Sequence, residues 1–182
     1  PQHWFIGAYL FAFVLSKFLG FVPGYALDDY VTASREAEVL TTHFIAQGRF
    51  TFALLMSWLQ LTSLHLNDFN VVGLLGLGLF SGLFACSALR IEDNRNPYLL
   101  VACGALAGAY PYLTEYVSFR QAILPTAILF LLCWIATNAY QRWRSSRQHV
   151  HLAVFLACSV LAAGINQLAV PLLCIAVLFH DL

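Results

Sequence analysis

The chain has 182 residues, of which 60% are hydrophobic and only 10% charged, and its formal net charge is zero. Soluble domains carry about 25% charged residues, so this composition argues against one. The neutral balance leaves no bulk electrostatic case for binding nucleic acid.

In chain order, six apolar stretches stand out, at residues 4–22, 69–89, 98–113, 122–140, 152–165 and 168–179. The first, second and fourth reach the roughly 20 residues that a helix needs to cross a bilayer. The third is short unless it continues past Tyr110-Pro111. The last two flank Asn166-Gln167 and read either as two short helices with a polar turn or as one interrupted helix. Short or interrupted apolar segments are where membrane proteins line polar cavities. The expected fold is therefore all-α, a polytopic transmembrane helical bundle.

A seventh stretch, residues 50–66, is ambiguous, because its 17 residues would span about 25 Å as a helix. Arg49, Ser57, Gln60, Ser63 and Asn67 give it a weakly polar face, with Leu54, Trp58 and Leu61 elsewhere around it. That pattern suits a helix lying at the interface as well as one that crosses. The distribution of arginines leaves both topologies open. If 50–66 stays on one side, Arg90, Arg95, Arg142, Arg144 and Arg147 face the cytoplasm, and Arg35, Arg49 and Arg120 face out. If it crosses, Arg35 and Arg49 join the cytoplasmic set. Both alternatives place the basic loop at 141–147 in the cytoplasm.

Polar residues with chemical potential cluster in two stretches. The first, 23–49, holds the adjacent Asp28 and Asp29 together with Arg35, Glu36, Glu38, His43 and Arg49. Neighbouring carboxylates repel, and one raised in pKa by the other is a natural general base for a hydroxyl. The plainer alternative is a solvated acidic loop. Gly48 frees the backbone ahead of Arg49, whose planar fork suits a phosphate. Arg49 is equally readable as a snorkelling interfacial arginine. The second stretch, 110–120, contains Glu115 and Arg120, which either pair with each other or join the aspartates on one face of the bundle. If 50–66 does not cross, Asn166-Gln167 falls on that face too. Lys17 reads as a snorkelling residue near the outer end of its span.

Other signals are weak. The five cysteines sit inside apolar runs, show no CxxC spacing and read as small buried hydrophobes. The six histidines show no metal-ligand spacing, and although carboxylates can hold Mg²⁺, no spacing here requires a metal or other cofactor. Gly78-x-x-x-Gly82 and Gly104-x-x-x-Gly108 are compatible with close helix packing, but glycine-rich spans produce such matches by chance. The start at Pro1 and the stop directly after an apolar run are what a piece of a longer chain would show.

Four local features, in order, resemble the bacterial and phage O-antigen glucosyltransferases of the glucosyl transferase II family, within the GT-C superfamily. They are Tyr25-Ala26-Leu27-Asp28-Asp29-Tyr30, Gly48-Arg49 opening an apolar helix, Pro111-Tyr112-Leu113-Thr114-Glu115-Tyr116, and Gly164-Ile165-Asn166-Gln167. The chain departs from the family at Phe50, where Pro is common, and at Asn166, where an aromatic is common. The resemblance implies a GT-C-like multi-pass enzyme of the bacterial inner membrane with its active site facing the periplasm. The donor would be a polyprenyl-phosphate sugar, with glucose expected, and the acceptor a lipopolysaccharide O-antigen or similar glycan. It also implies an interfacial helix in the first outward loop, which selects the non-crossing topology for 50–66. Asp28 or Asp29 would be the catalytic base, and Tyr30, Arg49, Glu115, Arg120 and Gln167 would contact substrate. The alternative is a non-enzymatic transporter or channel subunit with an acidic outward loop.

Overall fold

A computed structural model describes residues 2–17, 37–64, 66–89, 96–110 and 120–181, and among them all regular structure is helical. Eight α-helices follow in order: α1 (Gln2–Lys17), α2 (Ala37–Ala46), α3 (Phe50–Leu61), α4 (Asn70–Ala88), α5 (Pro97–Gly108), α6 (Arg120–Ser146), α7 (His149–Ala163) and α8 (Ala169–Asp181). A short 3₁₀ turn, Leu66–Phe69, leads into α4. Two of the helices are long and apolar enough to cross a membrane, at Asn70–Ala88 and Ala122–Ser146.

The helices α4 and α6 form the centre, and their contact is the most extensive in the bundle. Small residues on α4 make it possible. Gly73 faces Ile123 and the backbone of Leu124, and Gly76 faces Ala127, so α4 and α6 run parallel. On another face of α4, a methyl group at Gly78 would come within 2.8 Å of the Phe13 ring, and one at Gly82 within 2.9 Å of the Tyr9 ring. This sets α1 antiparallel to α4. On its far side α1 meets α5, where a methyl at Gly104 or Gly108 would strike the backbone carbonyl of Phe5 or Tyr9. Both Gly-x-x-x-Gly pairs are thus used as close-packing seats for one helix, where chance had been a sufficient explanation of the spacing. The buried stripe of α1, Phe5-Tyr9-Phe13-Lys17, follows the i, i+4 rhythm of a helix face. Within it the Tyr9 hydroxyl donates to Ser81 Oγ at 2.8 Å, so the one buried phenol in the stripe is satisfied.

These contacts define two ends. At the first lie the ends of α1, α5 and α7, the starts of α4, α6 and α8, and Gln167. The second, the Arg144 end, holds the junction of α6 with α7. Helix α3 starts against the turn after α7, and Leu124 near the start of α6 packs on its Phe52, Leu59 and Leu66 cluster. The chain then enters α4 at that same end. Helix α3 therefore lies across the Gln167 end without traversing the bundle, and it spans 12 residues where the apolar run suggested 17. It stops at Thr62, whose hydroxyl donates back to the Leu59 carbonyl at 2.9 Å, and Ser63 follows at a positive φ of 55°.

Several boundaries differ from the sequence reading. The basic stretch 141–147 is not a loop: α6 continues to Ser146, carrying Arg142 and Arg144 on its last turns. Residues 152–165 and 168–179 are two helices joined by a turn. Helix α2 occupies a part of the polar stretch where no apolar period marked it. Cys86 and Cys133 are buried, but Cys103 and Cys174 are exposed on the outer faces, so the cysteines are not uniformly core residues.

Candidate functional site

The most specific tertiary feature lies at the Gln167 end, where two polar turns distant in sequence meet. Helix α2 ends in a Schellman arrangement. The Gly48 N–H donates to the Ile45 carbonyl at 2.9 Å and the Arg49 N–H to the Phe44 carbonyl at 2.8 Å. Gly48 sits at φ +75°, a conformation that glycine adopts without the strain of a Cβ. This turn aims the chain directly into α3, with Arg49 at the N-cap position. Arg49 provides no side-chain cap, and the exposed first N–H groups of α3 find another acceptor.

That acceptor is Gly164. Its carbonyl accepts from Thr51 N at 3.0 Å and from Phe52 N at 3.3 Å. The C-terminal end of α7 thereby caps the N-terminal end of α3, so the negative pole of one helix faces the positive pole of the other. A side chain at position 164 would come within 2.5 Å of Phe50 and of Thr51 Oγ1, so only glycine fits there. Beside this contact the exposed Gln167 donates from Nε2 to the Gln47 carbonyl at 3.4 Å. The turn holds its own shape: Asn166 Oδ1 accepts from Leu168 N at 3.0 Å, which starts α8. Gln47 contacts His43 Nε2 at 2.8 Å, and Phe44 meets Phe52 with ring centroids 4.3 Å apart, which fastens α2 to α3.

The structure thus brings Arg49 and Gln167, two of the residues singled out from sequence, to one surface. Arg49 is half-buried beside the turn that anchors Gln167. Asp28, Asp29, Tyr30 and Glu115 lie outside the described residues. Arg120 opens α6 at this end, but its side chain also lies outside them. Among the described residues no three His, Cys, Asp or Glu side chains come close enough to share a metal ion.

Lys17 is the residue whose role differs most from its sequence reading. It is buried, not snorkelling, and its ammonium donates to the carbonyls of Ala109 at 3.4 Å and Tyr110 at 3.2 Å. Those carbonyls end α5, where a cation offsets the helix dipole and satisfies unpaired acceptors. Lys17 therefore ties the C-terminal ends of α1 and α5 together. The only hint in the sequence was its i, i+4 register with Phe13 and Tyr9.

No family model, curated protein or solved structure matches the chain.

Proposed function

We propose that the chain is part of a membrane-embedded glycosyltransferase that moves a sugar, with glucose the first to test, from a polyprenyl-phosphate donor to an O-antigen-like glycan at the outer face of the bacterial inner membrane. The observation that carries this reading is the joining of Gly48-Arg49 to Gly164–Gln167 at one end of the bundle. Two of the four stretches that resemble the transferase family share that surface.

The membrane setting is supported by the outer faces of the helices. Phe11 is 72% exposed, Val72 65%, Leu106 75% and Leu178 61%, spread over four different helices. Water-soluble monomers rarely expose contiguous apolar patches beyond a few hundred Å². Helix α3 likewise turns Leu54, Trp58 and Leu61 outward, the stripe expected of a helix resting in the interface. Arg142, Arg144 and Arg147 gather at the opposite end, on and just after the last turns of α6. By the positive-inside rule that end is cytoplasmic and the Gln167 end periplasmic.

In this mechanism Asp28 or Asp29 removes the proton from an acceptor hydroxyl. The oxygen attacks the anomeric carbon, the bond from that carbon to the phosphate oxygen breaks, and polyprenyl phosphate departs. Arg49 stabilises the charge that develops on the phosphate. Phosphate is a good leaving group, so no strong general acid is needed.

The test uses membranes containing the protein, polyprenyl-phosphate glucose with a labelled sugar, and O-antigen acceptor. Replacing the base, by Asp28→Asn or Asp29→Asn, is expected to lower transfer by roughly 10²–10⁴-fold. Arg49→Ala is expected to lower it about a hundredfold. Unchanged transfer in both aspartate variants ends the catalytic assignment. A transporter would instead lose cation uptake with Asp28→Asn and be indifferent to Arg49→Ala. Labelling of Ser34→Cys, with the native cysteines replaced, should come only from the periplasm, and cytoplasmic labelling overturns the orientation.

A further inference from the structure

At the Arg144 end, α6 carries three arginines within its last turns and the residue after them, and each is placed differently. Arg144 reaches across to α8, donating from Nη1 to the His180 carbonyl at 2.9 Å, where it caps that helix. Arg147 leaves the helix at a positive φ of 57° and lays its guanidinium over the Trp143 ring, 5.3 Å from the centroid. Arg142 does neither. It lines an open cleft of 370 Å³ together with Gln141, Ser145, Ser146 and His151.

The cleft is a shallow, largely open depression between two helices, lined by polar and apolar atoms alike. Gln141, Arg142, Ser145 and Ser146 share one face of α6, at the three- and four-residue steps that make side chains neighbours. His151 enters from the first turn of α7. The hydroxyls of Ser145 and Ser146 donate to the carbonyls of Gln141, at 3.1 Å, and Arg142, at 2.8 Å, so their protons are spent within α6 and an anion would take its hydrogen bonds from Arg142 and His151. Among the described residues no carboxylate lines the cleft, and a guanidinium with a neighbouring imidazole suits an anion. Its volume is near the lower limit of ligand sites, roughly 300–1,000 Å³, and it is open on one side. On α7, Val154 lies one turn from His151 and from Val150, and the two valines are 38% and 67% exposed, which puts apolar surface next to the histidine. Tyr140 and Trp143 stand on the same turns of α6, and amphipathic rings are enriched at membrane interfaces.

We propose that the cleft formed by Gln141, Arg142, Ser145, Ser146 and His151 binds the phosphate of an anionic phospholipid headgroup, with the acyl chains lying along Val150 and Val154 of α7. The site rests on the membrane reading given above and is independent of the transferase chemistry at the other end. Free phosphate shares the headgroup's charge, but it has no use for the apolar surface next to His151.

The experiment reconstitutes the intact protein with equal amounts of phosphatidylglycerol and phosphatidylcholine and counts the lipids retained on the protein by native mass spectrometry. Phosphatidylglycerol should be retained in preference, and Arg142→Gln should reduce that retention about tenfold, as expected for loss of one charge-assisted contact. His151→Ala should reduce it by a smaller factor. Arg144→Gln, which removes the donor to the α8 carbonyl outside the cleft, should leave it unchanged. Equal retention of the two lipids overturns the site, as does full retention by Arg142→Gln with an unaltered melting temperature. Displacement of phosphatidylglycerol by millimolar inorganic phosphate overturns the lipid assignment in favour of a free-anion site. Release of the protein from membranes by alkaline extraction would instead remove the membrane reading, so the two failures are distinguishable.

Discussion

Gly164 and Lys17 each act through an interaction that their residue type alone does not announce. At Gly164 the constraint is steric, because Phe50 and Thr51 occupy the space a Cβ would need. Gly164→Ala is therefore expected to push the start of α3 off its acceptor carbonyl and cost about 1–3 kcal/mol. Thermal unfolding would read the loss, and disulfide cross-linking between Gln47→Cys and Gln167→Cys would fall with it. Gly7→Ala is the matched control, since nothing lies within 4 Å of a methyl there and alanine is the better helix former. At Lys17 the constraint is electrostatic. Lys17→Met keeps much of the buried stem but leaves the Ala109 and Tyr110 carbonyls without their donor. A loss of about 1–3 kcal/mol is expected, visible as a lower unfolding temperature. An equally stable Lys17→Met protein would show that water satisfies those carbonyls.

At the level of elements, much of the architecture was readable from hydropathy. Two of the three span-length apolar runs became the central pair, α4 and α6, because a run of span length has few alternatives to a helix. The polar punctuation at Asn166-Gln167 did mark the break between α7 and α8. Helix α2 was not legible, since its ten residues follow a polar stretch and have no strong apolar period. The placement of α3 was not legible from charge either, because moving Arg35 and Arg49 between sides changes the arginine count only slightly. What decides it is a pair of backbone hydrogen bonds to Gly164, and main-chain acceptors leave no mark in sequence. The glycine pairs taught a related lesson: spacing alone did not distinguish chance from use, whereas the backbone of α1 against Gly104 and Gly108 does. Gly104→Ala with Gly108→Ala is expected to force α1 and α5 apart and destabilise the bundle by more than 2 kcal/mol, since backbone rather than flexible side chain must yield. Denaturation of the double variant beside Gly7→Ala measures it, and a loss below 1 kcal/mol would show that α1 slides to compensate.

For the whole molecule, polarity is divided between two ends with different characters. The Arg144 end is basic and tied together by side chains: Gln141 reaches the Ser87 carbonyl at 3.3 Å and His180 at 2.6 Å, joining α4, α6 and α8. The Gln167 end is held by backbone groups and by one buried ammonium. Of the candidate site, the sequence offered that Arg49 and Gln167 would share a face if 50–66 does not cross. The contact through which they do so was not legible, because it spans 120 residues between Gln47 and Gln167.

That span has a consequence for how the protein is made. The N–H groups that open α3 emerge from the ribosome long before their acceptor exists. At a synthesis rate of roughly 5–20 residues per second, the roughly 110 residues between Thr51 and its acceptor Gly164 impose a wait of about 6–22 s. During that interval α3 can meet Leu124 of α6 but lacks the acceptor that fixes its first turn. A chain halted before Gly164 should be cleaved rapidly between α2 and α3 by protease added from the side of the Gln167 end, whereas one halted after α8 should resist. Equal cleavage of the two would show that α3 docks without its cap. The first turn of α3, made early, is on this timetable among the last parts to be fixed.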